Sequence, residues 1–297
     1  MSGPVAGVLG LGIMGGEFAG HLAAAGVRTL GFDVLDDKRN ALTARGGETC
    51  PSPAAVAAEA DIILTSLPSA SALEAALFGD RGVVSSGRRG ILVVETSTLS
   101  LEAKESARLR LGEAGIAMMD APVSGTGSQA ASKDITVLAS GDRADYDRAE
   151  VLLKHLASSV HYVGAFGAGS KMKYVANLLV TIHTLAAAEA IALAEKAGLD
   201  SKLVVELLAR SGAGSTMLQV RGPSMAAGTY RTPLMKVGVF QKDLDIIASF
   251  ARETGCAVPL FSASVPYFTA AQAQGMAGYD IGAVVEILRE LAGLPAC

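Results

Sequence analysis

The first thirty-three residues admit few folds. Residues 5–9 are a short apolar run, Gly10-Leu11-Gly12-Ile13-Met14-Gly15 follows directly, and an amphipathic run occupies residues 18–25. A second apolar stretch, Thr29-Leu30-Gly31-Phe32, then ends in Asp33. Strand, glycine turn, helix, strand and acid is the order of a βαβ unit that holds a dinucleotide. In that reading Gly10 permits the tight turn, Gly12 lets the backbone approach a pyrophosphate, and Gly15 lets helix and strand pack closely. With Leu11, Ile13 and Met14 they form a candidate cofactor loop, whose helix N-terminus offers unpaired N–H groups to phosphate charge.

Asp33 bears on which dinucleotide. A carboxylate at the end of the second strand accepts hydrogen bonds from the adenosine ribose hydroxyls and repels a 2′-phosphate, so NAD is expected over NADP. Lys38 and Arg39 are the counter-indication, since a basic pair nearby could hold a phosphate.

The apolar–polar alternation continues well past Asp33. Strand patterns at residues 61–66, 91–95, 116–120, 134–140 and 160–163 are separated by helix patterns at 37–45, 53–60, 70–77, 101–114 and 146–156. Strands alternating with helices imply a mainly parallel sheet covered on both faces, a Rossmann-type α/β domain. The texture changes at Gly164. Gly167-Ala168-Gly169 punctuates the chain, Ser170 can cap a helix, and no breaker interrupts residues 171–197. That is a helix of roughly 27 residues, about 40 Å long. Helical patterns recur at 202–210, 235–254, 260–274 and 281–292, so the expected division is an α/β domain over 1–164 and an all-α domain over 165–297. A helix so long and apolar needs partners on all sides, and a second subunit is expected to supply some of them.

With 297 residues, 50 % apolar and 18 % charged, the chain can bury a large core. Net charge is −4 without a basic block, which gives nucleic-acid binding no support. Cys50, Cys256 and Cys297 are widely separated and cannot all pair, which fits a reducing cytoplasm. No basic stretch precedes an apolar one at the start, so no signal peptide is expected. Residues 175–194 are the most membrane-like stretch, but Asn177, His183 and Glu189 interrupt it, and a buried helix of a soluble protein is expected instead. No Cys, His or carboxylate spacing suggests a metal.

Ligands of open α/β sheets bind beyond the carboxyl ends of the strands. The loops there are Gly10 to Gly15, Leu67-Pro68, Thr96 to Thr98, and Ser124-Gly125-Thr126-Gly127. The last could be an anion nest for a carboxylate or merely a strand-to-loop turn. Lys173 and Asn177 are four apart and share one face of the long helix, either as a surface patch or as a proton-transferring lysine beside a substrate-positioning amide. Lys242-Asp243 reads by itself as a solvated face.

Taken together, the chain resembles the β-hydroxyacid dehydrogenases, the family of 3-hydroxyisobutyrate dehydrogenase and tartronate semialdehyde reductase. The resemblance runs through Gly10 to Gly15, Leu67-Pro68-Ser69, Ser97-Thr98, Asp120-Ala121-Pro122-Val123-Ser124-Gly125, Gly167-x-Gly169-x-x-x-Lys173-x-x-x-Asn177 and Lys242-Asp243-Leu244. It implies that Lys173 is the catalytic lysine, that Asn177 helps to hold substrate, and that Ser124, Gly125 and the neighbouring Thr126 bind its carboxylate. Leu67, Pro68, Thr98 and Lys242 would line the nicotinamide end of the cofactor, and the assembly would be a homodimer or homotetramer. The chain departs from the family pattern at Thr126, at Ser132-Lys133-Asp134 and at Ala176, which bears on the substrate. The reaction expected is hydride transfer between NAD and a small 3-hydroxy acid or its semialdehyde. The rival readings are reduction of an imine or another carbonyl on the same scaffold, and a dinucleotide-binding protein without turnover.

Overall fold

A computed structural model describes residues 3–295. The described residues form two compact units, divided between Lys173 and Tyr174. Cys297 lies outside the described residues, while Cys50 and Cys256 are free thiols.

The first unit alternates strand and helix. In chain order these are β1 (Ala6–Leu9), α1 (Ile13–Ala24), β2 (Thr29–Phe32), α2 (Asp36–Ala44), β3 (Glu48–Thr49), α3 (Pro53–Glu59), β4 (Ile62–Thr65), α4 (Ala70–Phe78), β5 (Leu92–Glu95), α5 (Leu101–Glu113) and β6 (Ala117–Asp120). The six strands form one parallel sheet in the order β3-β2-β1-β4-β5-β6. Successive side chains on a strand point to opposite faces, so each central strand feeds two cores. Val8, Leu64, Val94 and Met119 pack with Phe18 and Leu22 of α1 on one face. Leu9, Ile63, Val93 and Met118 pack with Val56 of α3, Leu77 of α4 and Leu111 of α5 on the other.

The alternation beyond β6 builds a separate sheet rather than an extension of the first. β7 (Val123–Ser124) pairs antiparallel with β8 (Thr136–Ala139), and β8 pairs parallel with β9 (Ser159–Tyr162). Between them lie a short helix, α6 (Gly127–Ala131), and α7 (Arg143–Leu156), which packs its Leu152, Leu153 and Leu156 into the α1 face of the core. A bridge between Asp120 and Ser140 links the two sheets.

The long helix α8 (Ala168–Lys196) starts three residues earlier than expected. Ser170 is not its cap but lies inside the first turn. The N–H groups of Gly169 and Ser170 find acceptors at the ends of β8 and β6, the Ser140 hydroxyl just past β8 at 3.0 Å and the Asp120 carboxylate at 2.8 Å. With those donors satisfied, the helix needs no local cap. Residue 169 must be glycine for this to happen, since a Cβ there would stand 2.1 Å from the Leu138 carbonyl oxygen.

The second unit is helical, with α9 (Ser201–Leu208), α10 (Thr216–Ala227), α11 (Val237–Thr254), α12 (Pro259–Ala271) and α13 (Val284–Leu291). Two buried ion-pair systems brace it. Arg221 meets Asp280 at 3.0 Å, and the other oxygen of Asp280 accepts from the Leu234 and Met235 N–H groups. Arg289, 1 % exposed, bridges Glu195 of α8 and Glu286 of α13. By length and composition α8 could cross a membrane, and 44 % of its most apolar window is buried inside the protein.

Candidate active site

The parallel register brings the carboxyl ends of the strands into one row, Phe32, Leu9, Thr65, Glu95 and Asp120. Gly10, Asp33, Leu67, Thr96 to Thr98 and the β6–β7 segment all begin just beyond that row. Ser97 joins two of these loops, because its hydroxyl accepts from the Leu67 N–H at 2.8 Å. Leu67 and Thr98 are half-buried there and Pro68 is exposed.

The glycine loop has the form a pyrophosphate requires. Gly10 sits at φ +87, and a Cβ on it would lie 2.2 Å from the Ser66 carbonyl oxygen. One on Gly15 would lie 1.9 Å from the Gly10 carbonyl, whereas nothing stands within 4 Å of such a position on Gly12. Gly12 caps α1 without a side-chain acceptor, so the N–H groups of Ile13, Met14 and Gly15 are open to an anion. Leu11 is buried beneath the loop, and its N–H donates to the Asp33 carboxylate at 2.7 Å. The other Asp33 oxygen accepts from the Leu35 N–H at 2.9 Å. A carboxylate has about four lone-pair sites, so two remain for ribose hydroxyls. Lys38 and Arg39 are engaged elsewhere: Lys38 pairs with Asp37 at 3.0 Å, and Arg39 binds the Asp36 carboxylate and the Asp33 carbonyl.

The Ser124–Gly127 segment reaches the glycine loop directly. The Ile13 side chain lies 2.3 Å from where a Cβ on Gly127 would stand. On α1, His21 Nε2 lies 2.8 Å from the Ala130 carbonyl oxygen of α6, a second link. Ser124 ends β7, and Gly125 comes next at φ +147. Thr126 is occupied in a capping box: its N–H donates to the Gln129 side-chain oxygen at 3.0 Å, and its hydroxyl accepts from the Gln129 N–H. The hydroxyl that departs from the family pattern thus folds the loop beside Ser124 and Gly125.

On α8, Lys173 is 8 % exposed and Asn177 5 % exposed, whereas Lys171 faces solvent. Asn177 donates to the Asp243 carboxylate of α11 at 2.9 Å, and Lys242 Nζ lies 3.2 Å from the other oxygen of the same carboxylate. Asp243 is therefore no part of a solvated face. It is 5 % exposed and fixes the orientation of an amide on another helix. The adjacent Lys-Asp letters hid this, because i and i+1 point about 100° apart on a helix and only Lys242 reaches solvent.

A second charged cluster escaped the sequence reading altogether. Lys104 of α5, fully buried, places its Nζ 2.7 Å from Glu95 and 2.7 Å from Asp120, both also fully buried. It also donates to the Ser97 carbonyl at 2.7 Å. Burial works against its charge, but the two carboxylates outweigh burial and hold the ammonium protonated far above its ordinary range. A signal was present. Glu95 and Asp120 each end an otherwise apolar strand, and Lys104 shares the spacing of Ala107 and Leu111, the buried stripe of α5.

Residues 5–164 match the family described as the NAD binding domain of 6-phosphogluconate dehydrogenase, and residues 167–288 match that described as NAD-binding of NADP-dependent 3-hydroxyisobutyrate dehydrogenase. The chain is 37 % identical to L-threonate dehydrogenase of Cupriavidus necator over 282 residues, 95 % of either protein. Its structure is similar to a 3-hydroxyisobutyrate dehydrogenase from Salmonella typhimurium, with TM-score 0.86 and 33 % identity over 95 % of this chain and 99 % of that one. It is also similar to the Mycobacterium tuberculosis 3-hydroxyisobutyrate dehydrogenase described with L-serine, with TM-score 0.87 and 27 % identity over 97 % and 99 %. The glycine loop, the strand-end loops and these whole-length likenesses agree: the chain belongs to the β-hydroxyacid dehydrogenases, NAD(P)-dependent oxidoreductases of small hydroxy acids.

Proposed function

We propose that this enzyme oxidises a small 3-hydroxy acid with NAD, Lys173 serving as the general base, and that a four-carbon polyhydroxy acid such as L-threonate is the first substrate to test. The observation that carries the reading is the contrast on α8. Lys173 is withdrawn from water on the same face as an amide held by Asp243, while Lys171, two residues away, is solvated. A surface patch would not need a buried carboxylate to orient its asparagine.

The loop from Gly10 to Gly15 and Asp33 would hold the dinucleotide, whose nicotinamide would supply the hydride acceptor for the carbon that bears the hydroxyl. Lys173 takes the hydroxyl proton, and in reverse its ammonium donates to the carbonyl and stabilises the developing oxyanion. Asn177 orients the substrate hydroxyls, and Ser124 with Gly125 holds the carboxylate. The preference for NAD rests on Asp33, which retains acceptor capacity, and on the engagement of Lys38 and Arg39 with acids of α2. We place the enzyme in the cytoplasm as a homo-oligomer.

The test is NADH formation over a panel of L-threonate, 3-hydroxyisobutyrate, L-serine and 2-(hydroxymethyl)glutarate. Turnover of L-threonate with the highest kcat/KM supports the substrate class. Turnover of none, with NAD still bound, would make the chain a dinucleotide-binding protein without this activity.

A further inference from the structure

The buried Glu95, Lys104 and Asp120 take no direct part in binding or proton transfer, and burying three charges is costly unless each is paired. Two carboxylates and one ammonium leave the cluster with an excess negative charge. That excess is met by the start of α8. Asp120 Oδ2 accepts from the Ser170 N–H at 2.8 Å, and Oδ1 accepts from the Ser170 hydroxyl at 2.8 Å. Ser140 completes the junction, accepting from the Gly169 N–H at 3.0 Å while its own hydroxyl points to Asp120. The positive end of the helix dipole therefore rests on a carboxylate that is locked by a buried lysine. Ser170, Lys173 and Asn177 are spaced by three and four, so all three occupy one face of the helix. Any rotation or slip of the first turn would carry Lys173 with it.

We infer that Asp120, held by Lys104, which Glu95 pairs in turn, is a positioning residue that fixes the rotation of the first turn of α8 and so aims Lys173 at the reacting hydroxyl. The inference rests on the acid–base role proposed for Lys173. A misplacement of about 1 Å at a reacting group can cost on the order of 100-fold in rate. Asp120→Asn is the suitable variant, because it leaves the Glu95–Lys104 pair balanced and keeps the side-chain shape. It should lower kcat by about 10- to 100-fold while the dissociation constant for NAD, followed by fluorescence titration, stays within about twofold. Ser170→Ala, which removes only the hydroxyl, should give a smaller loss of the same kind and serves if Asp120→Asn does not fold.

The decisive readout is a double-mutant cycle against Lys173→Ala at saturating NAD and substrate. A residue that acts through Lys173 has nothing left to aim once the lysine is gone. Asp120→Asn, or Ser170→Ala in its place, should then leave the residual kcat of Lys173→Ala unchanged. Losses that multiply would overturn the inference, as would wild-type kcat in Asp120→Asn. The underlying reading fails separately, and visibly, if Lys173→Ala alone keeps wild-type kcat.

Discussion

Lys171 and Lys173 carry the same charge, belong to the same helix and differ in everything that chemistry needs. They point about 200° apart on an α-helix, and only the second is withdrawn from solvent on the face of Asn177. Lys173→Ala should lower kcat by roughly 10²–10⁴, the usual cost of losing a general acid/base. Lys171→Ala should stay within about tenfold of wild type, as befits an exposed charge. Steady-state kinetics of the two variants decide the matter, and an equal loss in both would refute the assignment. Asp33 allows a second test at this scale. Its carboxylate supports the glycine loop through the Leu11 N–H, so Asp33→Ala should weaken binding of NAD and of NADP alike. The ratio of their kcat/KM values isolates the ribose contacts and should fall by one or two charge-assisted bonds, about 1.5–3 kcal/mol each. A ratio that favours NADP in the wild type would show that the pairs made by Lys38 and Arg39 open on binding. The candidates that sequence singles out are those tied to a motif with fixed spacing, Gly10 to Gly15, Asp33, Lys173 and Asn177. Asp243 and the Lys104 cluster were hidden because their partners lie 66, 16 and 9 positions away in the chain, counting Asn177 to Asp243, Lys104 to Asp120 and Glu95 to Lys104.

Helices and strands were readable wherever one hydrophobic period ran long enough to be seen. β1, β4, β5 and β6 are buried on both faces and read as apolar runs up to their last residues, Thr65, Glu95 and Asp120 in the last three. The small elements were not readable. α6 is five residues long, and β7 has two residues whose pairing depends on a distant partner, β8. α10 was masked by Gly222-Pro223, which interrupts a helical pattern. Its boundaries were nevertheless written out, Ser215 capping the Leu218 N–H at 3.1 Å and Gly228 ending the helix at φ +65. Gly222 is there for packing, since a Cβ would press to 2.9 Å from Val205 of α9. One pairing of elements has a pH signature. Arg289 on α13 donates to both oxygens of Glu195 near the end of α8, at 2.8 and 2.6 Å, and holds its carboxyl below the usual range. A depressed folded pKa contributes stability that is complete above the unfolded value, about 4.3, and lost as pH falls through the folded one. Glu195→Gln should therefore lower stability in urea by about 1.5–3 kcal/mol at pH 7. The gap should close as pH is lowered below about 4, where the wild type loses the same charge. A gap that does not change with pH would assign the loss to packing instead.

At the scale of the molecule, the apolar content of α8 exceeds what its own chain covers. Met172, Val175 and Leu179 are 49, 51 and 46 % exposed, and they repeat at intervals of three and four, so they form one stripe. That stripe lies roughly opposite the face of Ser170, Lys173 and Asn177, at about 100° of rotation per residue. Leu193 on the same helix, with Leu199, Leu203 and Leu207 after it, adds further exposed apolar surface. Scattered exposed leucines need no explanation, but a continuous stripe on a 29-residue helix does. The homo-oligomer proposed above would cover it with a second copy of the chain, and would also shield the helix that carries Lys173 from bulk water. Light scattering at micromolar concentration should return at least twice the 30.2 kDa chain mass. Val175→Glu combined with Leu179→Glu places two carboxylates in the stripe without touching the Lys173 face, and it should shift the population to monomer while far-ultraviolet circular dichroism stays unchanged. A wild-type protein that runs as a monomer at every concentration, or a double variant that still assembles, would show that this stripe is not where the copies meet.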